Sequence, residues 1–152
     1  MKIKIQLQHP NAKAPTYATD GSGDFDLYAA SVNGMDHVGD VCYPGHPVVC
    51  DIGVAFEFPP GHVLAIKSRS GLFFKHEIMA FPGEIDSDFT GSVKVKLVCL
   101  HVDDDEPPMK INPGDRIAQA RIEIAPRCEF EVVEQLTITE RGDGGFVSTG
   151  AA

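Results

Sequence analysis

The 152-residue chain carries 13 basic and 22 acidic residues, a formal net charge of −9, and 43% hydrophobic residues. A typical domain has roughly 100–200 residues, so this length fits one domain and excludes a two-domain enzyme. The acidic balance excludes broad electrostatic binding to duplex nucleic acid or anionic lipid, and no apolar run approaches the roughly 18 residues of a membrane-spanning helix.

In chain order, short runs that alternate or are rich in β-branched residues predict strands at Lys2 to Leu7, Val48 to Val54, Val63 to Ile66, Val93 to Leu100, Ile117 to Ile124 and Phe130 to Val133. Turn signals separate them at Pro44-Gly45, Pro59-Pro60-Gly61 and Asn112-Pro113-Gly114-Asp115. The pattern is all-β, a sandwich or barrel of short strands. One helical turn is expected, at Ser70 to His76, too short to hold without packing on the sheet. The acidic loop from Asp103 to Pro108 lacks calcium-loop spacing and reads as a solvated turn. The Gly, Ser and Thr-rich tail, Arg141 to Ala152, is either disordered or ordered by a ligand. The N-terminus has no apolar signal core, so the protein is expected in the cytoplasm. Cys42, Cys50, Cys99 and Cys128 lack CxxC spacing and are expected to be buried thiols, and none of the six histidines has metal-ligand spacing.

Five segments concentrate glycine with Asp, Arg, Ser or Gln: Ala18 to Leu27, Lys67 to Leu72, Gly83 to Gly91, Gly114 to Gln119 and Arg141 to Gly150. Their chemistry suits a phosphate ester. Glycine-rich turns expose backbone amides, hydroxyls and guanidinium groups donate to phosphate oxygens, and carboxylates can hold hydrated magnesium. Singly, each segment also reads as an ordinary turn.

In this order and spacing the segments resemble the five motifs of the trimeric dUTP pyrophosphatase (dUTPase) family, over nearly the whole chain. The resemblance implies a jelly-roll-like β-barrel of short strands over residues 1–140 and a flexible C-terminal lid over 141–152. It also implies a homotrimer with active sites at subunit interfaces and Mg2+-dependent cleavage of dUTP to dUMP and pyrophosphate. Such an activity limits uracil incorporation into DNA and supplies dUMP for dTTP synthesis. Asp86 matches the general base that activates water against the α-phosphorus. Phe89 stands where the family usually has a tyrosine packed on deoxyribose. Ser70 and Gln119 match phosphate-contacting positions, Arg69 belongs to the same motif and can offset triphosphate charge, Gly71 beside them is a substrate-binding position, and Asp26 matches the carboxylate near magnesium, holding it through water. Ala80, Phe81, Gly83 and Ile85 fall on the base-reading hairpin. Arg141, Phe146, Ser148 and Thr149 match the lid, with Arg141 reaching the γ-phosphate and Phe146 stacking on the base.

Departures from the family pattern cluster at base reading and lid closure. Asp24 replaces a glycine, Ser68 a proline and Val147 the glycine after the lid phenylalanine, Phe73 is larger than usual, and Pro82 and Glu84 alter the hairpin. Another deoxypyrimidine triphosphate is therefore the alternative substrate. The related dCTP deaminases need a glutamate near the position of Lys96, and a non-enzymatic nucleotide-binding trimer would not need Asp86.

Overall fold

The computed structural model describes residues 1–102 and 107–144. In chain order the described residues form β1 (Lys4–Leu7), β2 (Thr16–Tyr17), β3 (Phe25–Tyr28), β4 (Ser31–Val32), β5 (Asp40–Val41), β6 (Val48–Asp51) and β7 (Val54–Glu57). There follow β8 (His62–Lys67), α1 (Ser70–His76), β9 (Ile78–Ala80), β10 (Gly83–Asp86), β11 (Lys94–Cys99), β12 (Lys110–Ile111) and β13 (Arg116–Ile124). Five strands lie in the order β10-β8-β13-β3-β2 and four in the order β4-β6-β11-β9, with two-stranded β1-β7 and β12-β5 pairs beside them; every pairing is antiparallel.

Alternation explains why these sheets meet. Leu27, Leu64, Ile66, Ala118 and Ala120 of the larger sheet and Val48, Cys50, Val95, Leu97 and Ile78 of the smaller one are all buried in a single core. Removing each Leu, Ile or Val side chain from water contributes on the order of 1.5–3 kcal/mol. The residues between them on the larger sheet, including Asp26, Lys67, Gln119 and Arg121, point to the opposite face, as a period of two requires. The all-β, jelly-roll-like expectation therefore holds.

The expected run from Val48 to Val54 is two strands, because Gly53 turns the chain with φ of +66° between β6 and β7. A Cβ there would stand 2.6 Å from Cβ of His9, so both the angle and the space require glycine. The short helix forms as expected and is pinned by buried Leu72; it ends at Glu77, whose left-handed backbone (φ +52°) lets its N–H donate to the Phe73 carbonyl at 2.9 Å.

Two expectations are corrected. Phe130 to Val133 form no strand: among the described residues the last strand ends at Ile124, and Phe130 and Val132 are 94% and 99% exposed with no ladder partner. A β-favouring sequence adopts a strand only where an edge receives it. Cys128, on the same stretch, is exposed, whereas Cys42, Cys50 and Cys99 are buried as expected. Burial pushes the Cys42 thiol up to about 11 and that of Cys50 up to about 12.

Candidate active site

The outward face of the five-stranded sheet carries most of the ionisable groups singled out by sequence. Asp26 lies on β3, one residue before core Leu27, and its partner across the ladder is Gln119 of β13. Arg69 follows β8 and occupies the N-cap position of α1 with an extended backbone, so its side chain returns over the sheet. Its Nε donates to Asp26 Oδ1 at 3.2 Å and its Nη1 to the Arg116 carbonyl at 2.9 Å. Gln119 Nε2 donates to the same Oδ1 at 3.4 Å.

Arg116 completes this cluster, its Nη1 donating to Asp26 Oδ2 at 3.2 Å. Sequence reasoning placed Arg116 inside a motif but gave it no role. A register shift between Arg116 and Ala118, a bulge in the β13–β3 ladder, lies immediately beside it. Such irregularities re-aim side chains and leave no signature in local composition. The Asp26 carboxylate is 2% exposed, so its charge is compensated by two guanidinium groups.

Next to it is a ring of four charges. Glu123 Oε1 accepts from Arg121 Nε at 2.6 Å and from Lys67 Nζ at 3.0 Å, and Asp24 Oδ1 lies 3.7 Å from Arg121 and 3.9 Å from Lys67. The hydrogen bonds from Arg121 and Lys67 hold the Glu123 carboxyl below its ordinary value. Asp24, the carboxylate in place of a family glycine, thus faces two cations, and its buried Oδ1 receives no hydrogen bond among the described residues.

The second set of predicted residues lies on the β9–β10 hairpin. Ala80 ends β9, buried, with its carbonyl accepting from Ser68 Oγ at 3.0 Å. Phe81 is exposed, and its N–H donates to the Lys96 carbonyl at 2.7 Å. Because Pro82 has no N–H, positions 81 and 82 present no free backbone donor. Gly83, Ile85 and Asp86 pair along β10 with Ile66, Leu64 and Val63 of β8. Asp86 is exposed at the strand end, its carboxylate makes no hydrogen bond or ion pair among the described residues, and its backbone carbonyl accepts from Phe89 N–H at 3.1 Å. The Phe89 ring folds back over Gly91, where a Cβ would stand 2.7 Å from Cζ.

Ser70 and Gly71 open α1 beside Arg69. Arg141 is not brought to either cluster; its Nε donates to the Gly144 carbonyl at 2.7 Å within its own turn. Phe146, Ser148 and Thr149 lie outside the described residues, as do Asp103 to Glu106.

The face is shared, but the two clusters are far apart. Asp86 aligns with Val63 and then Glu123 across the sheet, whereas Asp26 aligns with Gln119 and then Lys67. Three strand spacings laterally and four residues lengthwise separate Asp86 from Asp26 by roughly 20 Å.

For magnesium the donor chemistry is limiting. Among the described residues no three His, Cys, Asp or Glu side chains converge, and both Asp26 oxygens already accept from cations or amide. This set fits a hydrated ion held through water by one carboxylate and by substrate phosphates, the habit of Mg2+, and does not fit a cage of protein ligands.

The dUTPase family model matches residues 10–150. A deoxyuridine 5'-triphosphate nucleotidohydrolase of Helicobacter pylori is 42% identical over 155 residues, covering 100% of this chain and 99% of that protein. Another, from Wolinella succinogenes, is 39% identical, with 99% and 95% covered. A solved dUTPase variant of Staphylococcus bacteriophage 80alpha, with dUpNHpp, superposes with a TM-score of 0.80 at 25% identity and 99% coverage of both chains. Fold and relatives thus define a hydrolase class with an all-β, jelly-roll-like fold. The chain belongs to the dUTPase family.

Proposed function

We propose that the protein hydrolyses dUTP to dUMP and pyrophosphate, with Asp86 as general base, in a homotrimer whose sites are shared between copies. The observation that carries the reading is the solvent-facing Asp86 carboxylate at the end of β10, unpaired among the described residues, in a chain related to dUTP nucleotidohydrolases over its full length. A general base must be free to take a proton, and an Asp locked in an ion pair, like Asp26, would not be.

In the proposed step a water oxygen bonds to the α-phosphorus, its proton passes to an Asp86 oxygen, and the bond from the α-phosphorus to the bridging oxygen breaks. Pyrophosphate and dUMP result. Proton transfer to a positioned base is worth about 10²–10⁴-fold in rate. Arg69 is suited to the triphosphate because two of its nitrogens are already anchored, leaving Nη2 to donate to phosphate oxygens without further ordering of the side chain. Gln119 retains one amide hydrogen for the same purpose, and the Ser70 hydroxyl stands beside Arg69. Asp26 would hold Mg2+ through water, the ion offsetting triphosphate charge in a protein whose own net charge is −9. Ala80, Phe81, Gly83 and Ile85 would read the base and Phe89 the sugar. Residues 141–152 would act as a lid over the phosphates.

Two features support sharing between copies. A triphosphate does not span the roughly 20 Å between Asp86 and Asp26, so the two clusters of one chain serve different sites. Phe130, Val132, Leu136 and Ile138 also expose apolar side chains along a segment with no strand partner among the described residues, which association would cover. The solution mass should be three times the chain mass of 16.4 kDa. The function is tested by following pyrophosphate release from dUTP, dCTP, dTTP and UTP with magnesium, alongside Asp86→Asn. Release from dUTP, lost in the variant while nucleotide binding remains, is expected. Release of ammonia, or turnover retained by Asp86→Asn, overturns the reading.

A further inference from the structure

Between Ser68 and Ala80 the chain leaves the five-stranded sheet at the end of β8, forms α1 and enters the four-stranded sheet as β9. This stretch begins with Arg69, Ser70 and Gly71, beside the phosphates in the proposed site, and ends at the residues proposed to read the base. One hydrogen bond closes its two ends: Ser68 Oγ donates to the Ala80 carbonyl at 3.0 Å across 12 residues of sequence.

The ladder leaves that carbonyl without a backbone donor. β9 is the edge strand of its sheet, paired with β11, and Ala80 stands opposite Leu97. The Phe81 N–H donates to the Lys96 carbonyl at 2.7 Å, so residues 81 and 96 belong to a hydrogen-bonded pair. Pair types alternate along an antiparallel ladder, so the Ala80 carbonyl points away from β11. Ala80 is 1% exposed, so bulk water does not serve this acceptor, and Ser68 is its only donor among the described residues. Immediately beyond, Phe81 and Pro82 cross to the larger sheet, where Gly83 of β10 pairs with Ile66, two residues before Ser68. No other side chain bonds to residues 80–83 among the described residues.

We propose that Ser68 is a positioning residue for base recognition, its hydroxyl fixing Phe81 to Gly83 relative to Arg69 and the phosphate-contacting turn. The inference rests on that segment reading the base. A base read by backbone atoms is discriminated by where those atoms stand, and Ser68 ties them to the phosphate contacts. A proline, which Ser68 replaces in the family pattern, has no hydroxyl and could not make this bond.

The experiment measures kcat and KM for dUTP and dCTP with magnesium in wild type, Ser68→Ala and Ser68→Thr, and the Kd of each nucleotide in the same set carrying Asp86→Asn. Ser68 is half-buried and outside the core, so the variants should fold. The expected result for Ser68→Ala is a fall of about 10-fold in the ratio of kcat/KM for dUTP over dCTP, carried by KM for dUTP and matched in Kd. Ser68→Thr, which keeps a hydroxyl, should restore the ratio. A lowered unfolding midpoint with an unchanged ratio would make the bond merely structural and overturns the proposal, as does an equal loss for both nucleotides or a ratio that Thr does not restore. Should Ser68→Ala not fold, Ser68→Thr against the isosteric Ser68→Val decides the same question, because the two differ by the hydroxyl. Failure of the parent reading is separate: it appears in the wild type, as no pyrophosphate from dUTP or no preference for dUTP over dCTP.

Discussion

Asp86 and Asp26 project from the same face of one five-stranded sheet yet lie roughly 20 Å apart, with β8 and β13 between their strands. A site that needs both must take them from different copies. Mixing two inactive variants tests this. Asp86→Asn supplies an intact Arg69, and Arg69→Gln supplies an intact Asp86. If copies exchange randomly after denaturation and refolding as an equal mixture, about a quarter of the sites receive both good halves, and about a quarter of wild-type activity returns. A mixture as inactive as its components would place both groups in one chain's site.

The Asp26 cluster also stabilises the fold. Asp26→Asn leaves the shape but removes the charge that Arg69 and Arg116 compensate, and Arg69 is the more buried of the two. Breaking one side of a buried pair costs about 3–5 kcal/mol, and the half-exposed Arg116 can turn to water, so a loss of about 2–4 kcal/mol is expected. Urea unfolding at pH 7 measures it. A loss below about 0.5 kcal/mol would mean that the guanidiniums relax into solvent without cost.

What the sequence disclosed and what it withheld follow from how far each feature reaches along the chain. The run that became β11 was legible because burial of one face imposes alternation over several consecutive residues, with buried Val95 and Leu97 alternating with exposed Lys94 and Lys96. Two-residue strands such as β4, β5 and β12 carry no period at all. They exist because a neighbouring backbone needs a partner, which is a tertiary fact. Phe130 to Val133 failed in the opposite sense, having the pattern of a strand and pairing with no edge among the described residues. Gln119, Asp26 and Arg69 were named from their motifs, and the ladder brings them together. Arg116 gained its place in the cluster beside a bulge.

Phe89 and Gly91 are mutually dependent. The ring lies over the glycine so closely that a methyl group at Gly91 would meet Cζ at 2.7 Å. Gly91→Ala should therefore displace the ring from the position proposed for sugar packing, while leaving the Asp86 strand intact. The expected outcome is a fall of about 10-fold in the ratio of kcat/KM for dUTP over UTP, equivalent to about 1.4 kcal/mol of discrimination. Phe89→Ala should give at least the same fall. An unchanged ratio in both variants would remove Phe89 from sugar selection.

Acid sensitivity has two identifiable contributors outside the proposed catalytic groups. Asp40 is held below its ordinary value of 3.8 first by the Val41 backbone N–H at 2.8 Å and then by Asn33 Nδ2 at 2.7 Å, with His46 adding to both. Glu123 is held below its ordinary value of 4.5 by Arg121 and then Lys67. A depressed folded-state pKa means that the folded protein binds the proton less readily than the unfolded chain. The stability from Glu123 is thus complete above about pH 4.5 and that from Asp40 above about pH 3.8, and each is lost as pH falls through the depressed folded value. Both side chains are solvent-accessible, so water and salt screen the effect. Urea midpoints at pH 6, 4 and 3 should fall less steeply for the double variant Asp40→Asn, Glu123→Gln than for wild type, and the difference should shrink in 1 M salt. Parallel curves for the two proteins would assign the acid loss to other carboxylates.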